Sequence, residues 1–194
     1  MKIDLSVPVT RKMVEEMKAL VPQNKILSEL DLFGHLGTHF DIVEKTFDMA
    51  NLERRGRVFD VRDAEGEVGA DDLNLSELRE GDFAMFHTGT LKRKGYGTKD
   101  YLTSHPELSW DLIKRLVRSK VSMIGVDTAG IRMIAEHPRA DRYCAENGAF
   151  VVENLDNLDV LLEKAGGNAF TVWTYPMNFS GATGLPCRVI ARVD

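Results

Sequence analysis

The sequence predicts a single α/β domain. Its length of 194 residues suits one compact core. No internal repeat, low-complexity tract or Pro/Ser-rich linker divides it. Segments with the two-residue period of strands alternate with segments of helical period along most of the chain.

The elements follow in order. Ile3 and Leu5 alternate with Asp4 and Ser6 until Pro8, which reads as a short strand. Thr10 can cap a helix carrying Met13, Met17, Leu20 and Val21, with Pro22 as its stop. Val58 to Val61 reads as a strand, and Asn74 to Leu78 as a helical turn with Asn74 and Glu77 at capping-box spacing. Phe83 to Phe86 is a buried strand running into a Thr88-Gly89 turn. Ser109 caps a helix with an apolar face of Leu112, Ile113, Leu116 and Val117, and Val121 to Val126 follows as a strand. A helix over 138–147 is entered through Pro138 and closed by Gly148. A strand over Ala149 to Val152, a helix over Leu158 to Ala165, and strands near 169–175 and 187–193 complete the chain.

Hydrophobic residues make up 43% and charged residues 28%, the balance of a globular protein, with a net charge of −5. Basic residues are scattered, and Lys92-Arg93-Lys94 is too short a run to hold nucleic acid. Cys144 and Cys187 have no spacing that suggests a zinc site, so both are expected reduced. No apolar run is long enough for a signal peptide or a membrane span, so a cytoplasmic protein without membrane partners is expected.

The stretch GHLGTHFDIVEKTF, residues 34–47, carries two of the five histidines. In a regular strand His35 and His39 would stand roughly 13 Å apart, too far for one ion. In a regular helix they would be neighbours, but Asp41 would project elsewhere. A bend at Gly37, fixed locally by Thr38, can bring all three together. Two imidazoles and a carboxylate suit zinc, manganese or iron and leave positions open for water and substrate.

These residues resemble the metal-dependent cyclase family, which includes bacterial kynurenine formamidase and isatin hydrolase. Its signature reads His-x-Gly-Thr-His-x-Asp-x-Pro-x-His, and residues 35 to 41 match the first seven positions. Further likeness runs in the same order through Asp4-Leu5-Ser6, Gly81-Asp82, Thr88-Gly89 and Tyr101. It continues through His105-Pro106, Gly125-Val126-Asp127-Thr128, Glu153-Asn154-Leu155 and Gly184-Leu185-Pro186-Cys187-Arg188. The resemblance implies a mixed, partly barrel-like sheet flanked by helices, assembled as a homodimer or homotetramer. It also implies metal-dependent hydrolysis of a C–N amide-type bond in a small molecule, a formamide or a cyclic amide.

In the family the first two histidines and the aspartate bind metal, which points here to His35, His39 and Asp41. A later histidine, twelve residues before a glutamate, completes the site. Glu153 matches that glutamate, but Asp141 stands at the histidine's position, with His137 one helical turn earlier. Asp141, Glu153 and His137 are therefore further candidate ligands, and one zinc or manganese ion is expected rather than two. The signature's proline is Val43, and its final histidine, the family's acid/base, is Lys45. The family's arginine before Thr-Gly is His87. Lys45 is the leading candidate to replace the base, with Glu44, Asp48 and His87 as others. Burial beside a cation would depress the Lys45 ammonium toward a useful range. The alternative is a catalytically weakened member that binds a metal or small ligand without turnover.

Overall fold

A computed structural model describes residues 1–20, 29–43 and 45–194. The expected Pro22 helix stop and Glu44 lie outside them. The strands are β1 (Lys2–Asp4), β2 (His39–Asp41), β3 (Glu53–Asp60), β4 (Glu67–Val68), β5 (Phe83–His87), β6 (Glu107–Leu108), β7 (Met123–Val126), β8 (Phe150–Glu153), β9 (Phe170–Pro176) and β10 (Gly184–Arg192). The helices are α1 (Arg11–Leu20), α2 (Glu29–Gly34), α3 (Thr90–Lys94), α4 (Lys99–Thr103), α5 (Trp110–Arg118), α6 (His137–Glu146) and α7 (Leu158–Ala165).

The sheet runs β10-β2-β8-β7-β5-β3-β9, and an antiparallel β9–β10 pairing closes it into a seven-stranded barrel. Strands β3, β5, β7 and β8 are parallel neighbours, whereas β2, β9 and β10 join antiparallel, so the barrel is mixed. Closure removes the exposed edges that an open sheet would present. β1 pairs antiparallel with β10 outside the ring, and the small β4–β6 pair stands apart.

Alternation along the strands divides the apolar residues into two cores. Phe83 and Met85 of β5 join Phe40, Met123, Val152, Phe170 and Val189 in one. Ala84 and Phe86 join Ile124, Val126 and Val151 in the other, beneath Leu112, Ile113 and Leu116 of α5 and Ala140 and Cys144 of α6. α5 starts as expected, with Ser109 Oγ accepting from the Leu112 N–H at 3.1 Å. Thr10 Oγ1 likewise accepts from Met13 N–H, at 3.3 Å.

One cap differs. Asn74 accepts from Ser76 N–H at 3.2 Å, opening a single 3-10 turn, and Glu77 is drawn instead to Arg57 at 2.5 Å. The two-residue step makes an Asx turn rather than a capping box.

Candidate metal centre

β2 places the first three candidates. Phe40 enters the inner core, so its neighbours His39 and Asp41 face the opposite side of the strand, toward α6. β2 pairs antiparallel with β8, opposing His39 to Glu153. On α6, His137 and Asp141 are four residues apart, share one face and reach the same spot. His39 Nε2 lies 3.6 Å from Asp41 Oδ1 and 3.4 Å from Glu153 Oε2. His137 Nε2 lies 3.0 Å from both Asp141 Oδ2 and Glu153 Oε1.

His35 reaches the group from the end of α2. Its Nε2 is 3.4 Å from Asp41 Oδ1, and its ring stands edge-on to His39 with centroids 5.1 Å apart. The bend between them is at Gly37, with φ +71°, where an added Cβ would meet Val9 Cγ2 at 2.6 Å. A second close approach needs glycine at 184, where a Cβ would strike the His35 ring at 2.9 Å. Thr38 does not fix the bend locally. Its Oγ1 accepts from Val7 N–H at 2.9 Å and donates to Asn154 C=O at 2.7 Å, tying the bend to distant strands.

Both signature imidazoles have their outer nitrogen engaged. His35 Nδ1 meets Asp31 C=O at 2.7 Å, and His39 Nδ1 meets Gly37 C=O at 3.0 Å. With Nδ1 donating to a carbonyl, it is Nε2, facing Asp41, that a neutral imidazole would offer to an ion and that carries the second proton otherwise. Asn154, with φ +57°, donates from Nδ2 to Gly37 C=O at 2.9 Å and accepts from the Tyr101 hydroxyl at 2.6 Å. The Tyr96 hydroxyl accepts from Gly37 N–H at 2.6 Å. Tyr96, Tyr101 and Asn154 thus hold the bend rigid. Sequence spacing gave no sign of this, because the partners lie 53 to 117 residues apart.

The inward-facing atoms are conspicuously unsatisfied. His39 Nε2, Asp41 Oδ2, Asp141 Oδ1 and Glu153 Oε1 are buried without a hydrogen-bond partner, four of the five such side-chain atoms among the described residues. Burying lone pairs against one another is costly unless a cation or proton sits between them. Ligand atoms of His35, His39 and Asp41 lie within 4.8 Å of one another, as do those of Asp41, His137, Asp141 and Glu153. Asp41 belongs to both sets. A nitrogen-and-oxygen donor set of this kind fits a divalent ion.

Without an ion, the charges compensate one another. Burial pushes His39 down, but the Asp41 and Glu153 charges outweigh it and raise the imidazole to about 9. Burial opposes His137 in the same way, and Glu153 and Asp141 lift it to about 12. Asp41 is held well below the carboxylate range, its burial overcome by His39 and His35. Asp141 goes the other way, to about 7, because burial and the nearby Asp41 and Glu153 charges outweigh the His137 contact.

The candidate bases do not gather here. Val43, with φ +42°, turns the chain after Ile42, and Lys45 N–H closes the turn on Ile42 C=O at 2.8 Å. A β-branched residue in this region is strained by about 1–3 kcal/mol. Lys45 emerges exposed, away from the ligand cluster's cavity lining. Asp48 is also exposed and caps the 3-10 turn Met49–Leu52 through Ala50 N–H. His87 is buried but shares the inward parity of Phe83 and Met85. Its Nδ1 lies 3.0 Å from Asp127, whose carboxylate also accepts from Thr88 and Gly89. That cluster closes a turn at the strand end.

Beside the ligands lies a cavity of about 550 Å³, lined by His35, Asp41, His137 and Asp141 together with Val43, Ile134 and Pro138. Among the described residues no helix is long and apolar enough to cross a membrane.

The fold is shared with several solved structures. Isatin hydrolase A from Ralstonia solanacearum is 18% identical with a TM-score of 0.75, over 100% of this chain and 92% of that one. A predicted metal-dependent hydrolase from Bacillus stearothermophilus is 20% identical with a TM-score of 0.73, over 98% and 97%. An isatin hydrolase bound to the product analogue thioisatinate is 21% identical with a TM-score of 0.68, over 81% and 71%. No curated protein sequence matches the chain. Residues 3–132, more than half of the chain, match the family described as "Putative cyclase", and the protein belongs to this cyclase family.

Proposed function

We propose that the protein is a metal-dependent hydrolase that cleaves a C–N amide-type bond, in a formamide or cyclic amide, in a small molecule. The observation that carries this reading is the convergence of four buried ligand atoms without hydrogen bonds, from β2, β8 and α6, beside an open cavity. His35, His39 and Asp41 would hold one zinc or manganese ion. A divalent ion there supplies carbonyl polarisation and a lowered water pKa.

The chain's own groups handle the proton. Asp141, which lines the cavity and whose Oδ1 has no hydrogen-bond partner, takes it from the attacking water and returns it to the departing nitrogen. His137 stands between Asp141 and Glu153, offsets their charges and keeps both carboxylates facing the cluster. The relatives of shared fold that hydrolyse isatin support cleavage of a cyclic amide. We also propose a cytoplasmic homodimer or homotetramer, a reading supported by exposed Phe33, Tyr175 and Met177.

The second reading, a binder without turnover, is favoured by the exposure of Lys45 at the position of the family's acid/base. Elemental analysis and metal titration, with His39→Ala as control, come first. About one ion per chain in wild type and none in the variant is expected. No divalent ion bound at all would sink the hydrolase reading. Hydrolysis within a panel of N-formyl and cyclic amides, followed by mass spectrometry, then separates the enzyme from the binder.

A further inference from the structure

The cavity beside the ligand cluster has an uneven rim. Its floor carries the carboxylates of Asp41 and Asp141, and its wall is apolar at Val43, Ile134 and Pro138. Arg142 also lines the cavity, one residue beyond Asp141 and one helical turn beyond Pro138. Its guanidinium makes no ion pair or hydrogen bond among the described residues.

The neighbouring arginines are already engaged. Arg139 lies over the Trp110 ring at 4.8 Å and 3.8 Å from Glu136. Arg132 is surrounded by Glu67, Glu107 and Glu136. Arg142 also borders a second depression of about 750 Å³ that includes Lys114 and Tyr143, so the two openings meet at Pro138 and Arg142.

A permanently charged planar fork at the mouth of a cavity suits a carboxylate, which it can hold through two parallel hydrogen bonds. The electrostatics also set the direction of the ligand. The carboxylates of the cluster are already paired with His35, His39 and His137, whereas the Arg142 charge is uncompensated and attracts an anion to the rim. We propose that Arg142 anchors a substrate carboxylate, so that the site selects anionic amides with an apolar body and directs the amide end toward the cluster. As a statement about substrate, this rests on the hydrolase reading; as a binding site, it does not.

The test is calorimetric titration of the metal-loaded protein with 4-phenylbutyrate and its neutral counterpart 4-phenylbutyramide. Metal content is measured in every sample. Wild type should prefer the acid by roughly tenfold or more, the usual size of a charge-assisted hydrogen bond. Arg142→Gln should abolish the preference, and Arg142→Lys should keep part of it. Because Arg142 is exposed, both variants should melt with the wild type. Equal affinity for the two probes, binding of neither, or a preference that survives Arg142→Gln would each overturn the proposal. Binding needs no turnover, so an Arg142-dependent preference in a protein that cleaves no amide would overturn the hydrolase reading alone.

Discussion

Replacing Gly37 by alanine should weaken both the fold and the metal site, by amounts the geometry sets. At φ +71° a residue with a Cβ costs about 1–2 kcal/mol more than glycine. The new Cβ would also lie 2.6 Å from Val9 Cγ2. Val9 is 40% exposed and can turn aside, for about 1 kcal/mol of rotamer strain. The sum is about 2–3 kcal/mol, and for a chain of this length it corresponds to a melting temperature about 4–12 °C lower. Gly37 C=O also orients His39 and accepts from Asn154, so zinc affinity should fall about 10–100-fold. Thermal unfolding and competitive zinc titration read the two effects. Val9→Ala separates the causes, since it removes the clash and leaves the backbone strain. In that background Gly37→Ala should still cost about 1–2 kcal/mol. If the double variant is as stable as Val9→Ala alone, the left-handed bend is not what position 37 requires.

Other substitutions probe the supports of the site. Asn154→Ala removes two buried hydrogen bonds, leaves the Tyr101 hydroxyl and Gly37 C=O short of partners, and should cost about 2–4 kcal/mol in chemical denaturation. Arg132→Met leaves the carboxylates of Glu67, Glu107 and Glu136 without their shared cation between the β4–β6 pair and the segment leading into α6, and a loss of about 1–3 kcal/mol is expected, because Glu67 and Glu136 are partly solvated. Lys45→Ala should leave kcat/KM within about twofold on any amide the protein cleaves, as for other exposed side chains; a large loss would restore Lys45 to the mechanism. The pH dependence follows from His39. Its pKa rises from 6.5 to about 9 on folding, so in the metal-free chain its contribution is complete below pH 6.5 and lost as pH rises through about 9. Metal must displace that proton, so the gap in melting temperature between loaded and stripped protein should widen from pH 6.5 to 9. A gap constant across that range would exclude His39 as a ligand.

The alternation of strands and helices was legible because it is periodic and local, as the apolar faces of β5 and α5 illustrate. Barrel closure was not legible from periodicity, since it depends on β9–β10 pairing and on a register that residue patterns do not encode. The short elements α2, α3, α4, β4 and β6 escaped notice because two to six residues are too few to establish a period. At the site, the bend at Gly37 could be inferred because neither regular geometry brings His35, His39 and Asp41 together. The hydroxyls of Tyr96 and Tyr101 that hold it could not, as each is indistinguishable in sequence from an ordinary core tyrosine.

The two departures from the family signature have different physical consequences. Position 141 lies on a helix, where residues four apart share a face. His137 can therefore bring an imidazole to within 3.0 Å of Glu153 from one turn before Asp141. The helix offers a second position from which the same point is reached. Position 45 lies on an irregular turn, where no neighbour is related to it by a period. The chain bends at Val43, and the side chain at 45 is carried out to solvent. On the hydrolase reading, a base missing from that position has no equivalent one turn away and would have to come from another element. Asp141 is a carboxylate of α6 that lines the cavity. On the hydrolase reading proposed above, the acid/base work would fall to Asp141 on α6 rather than to the turn after β2.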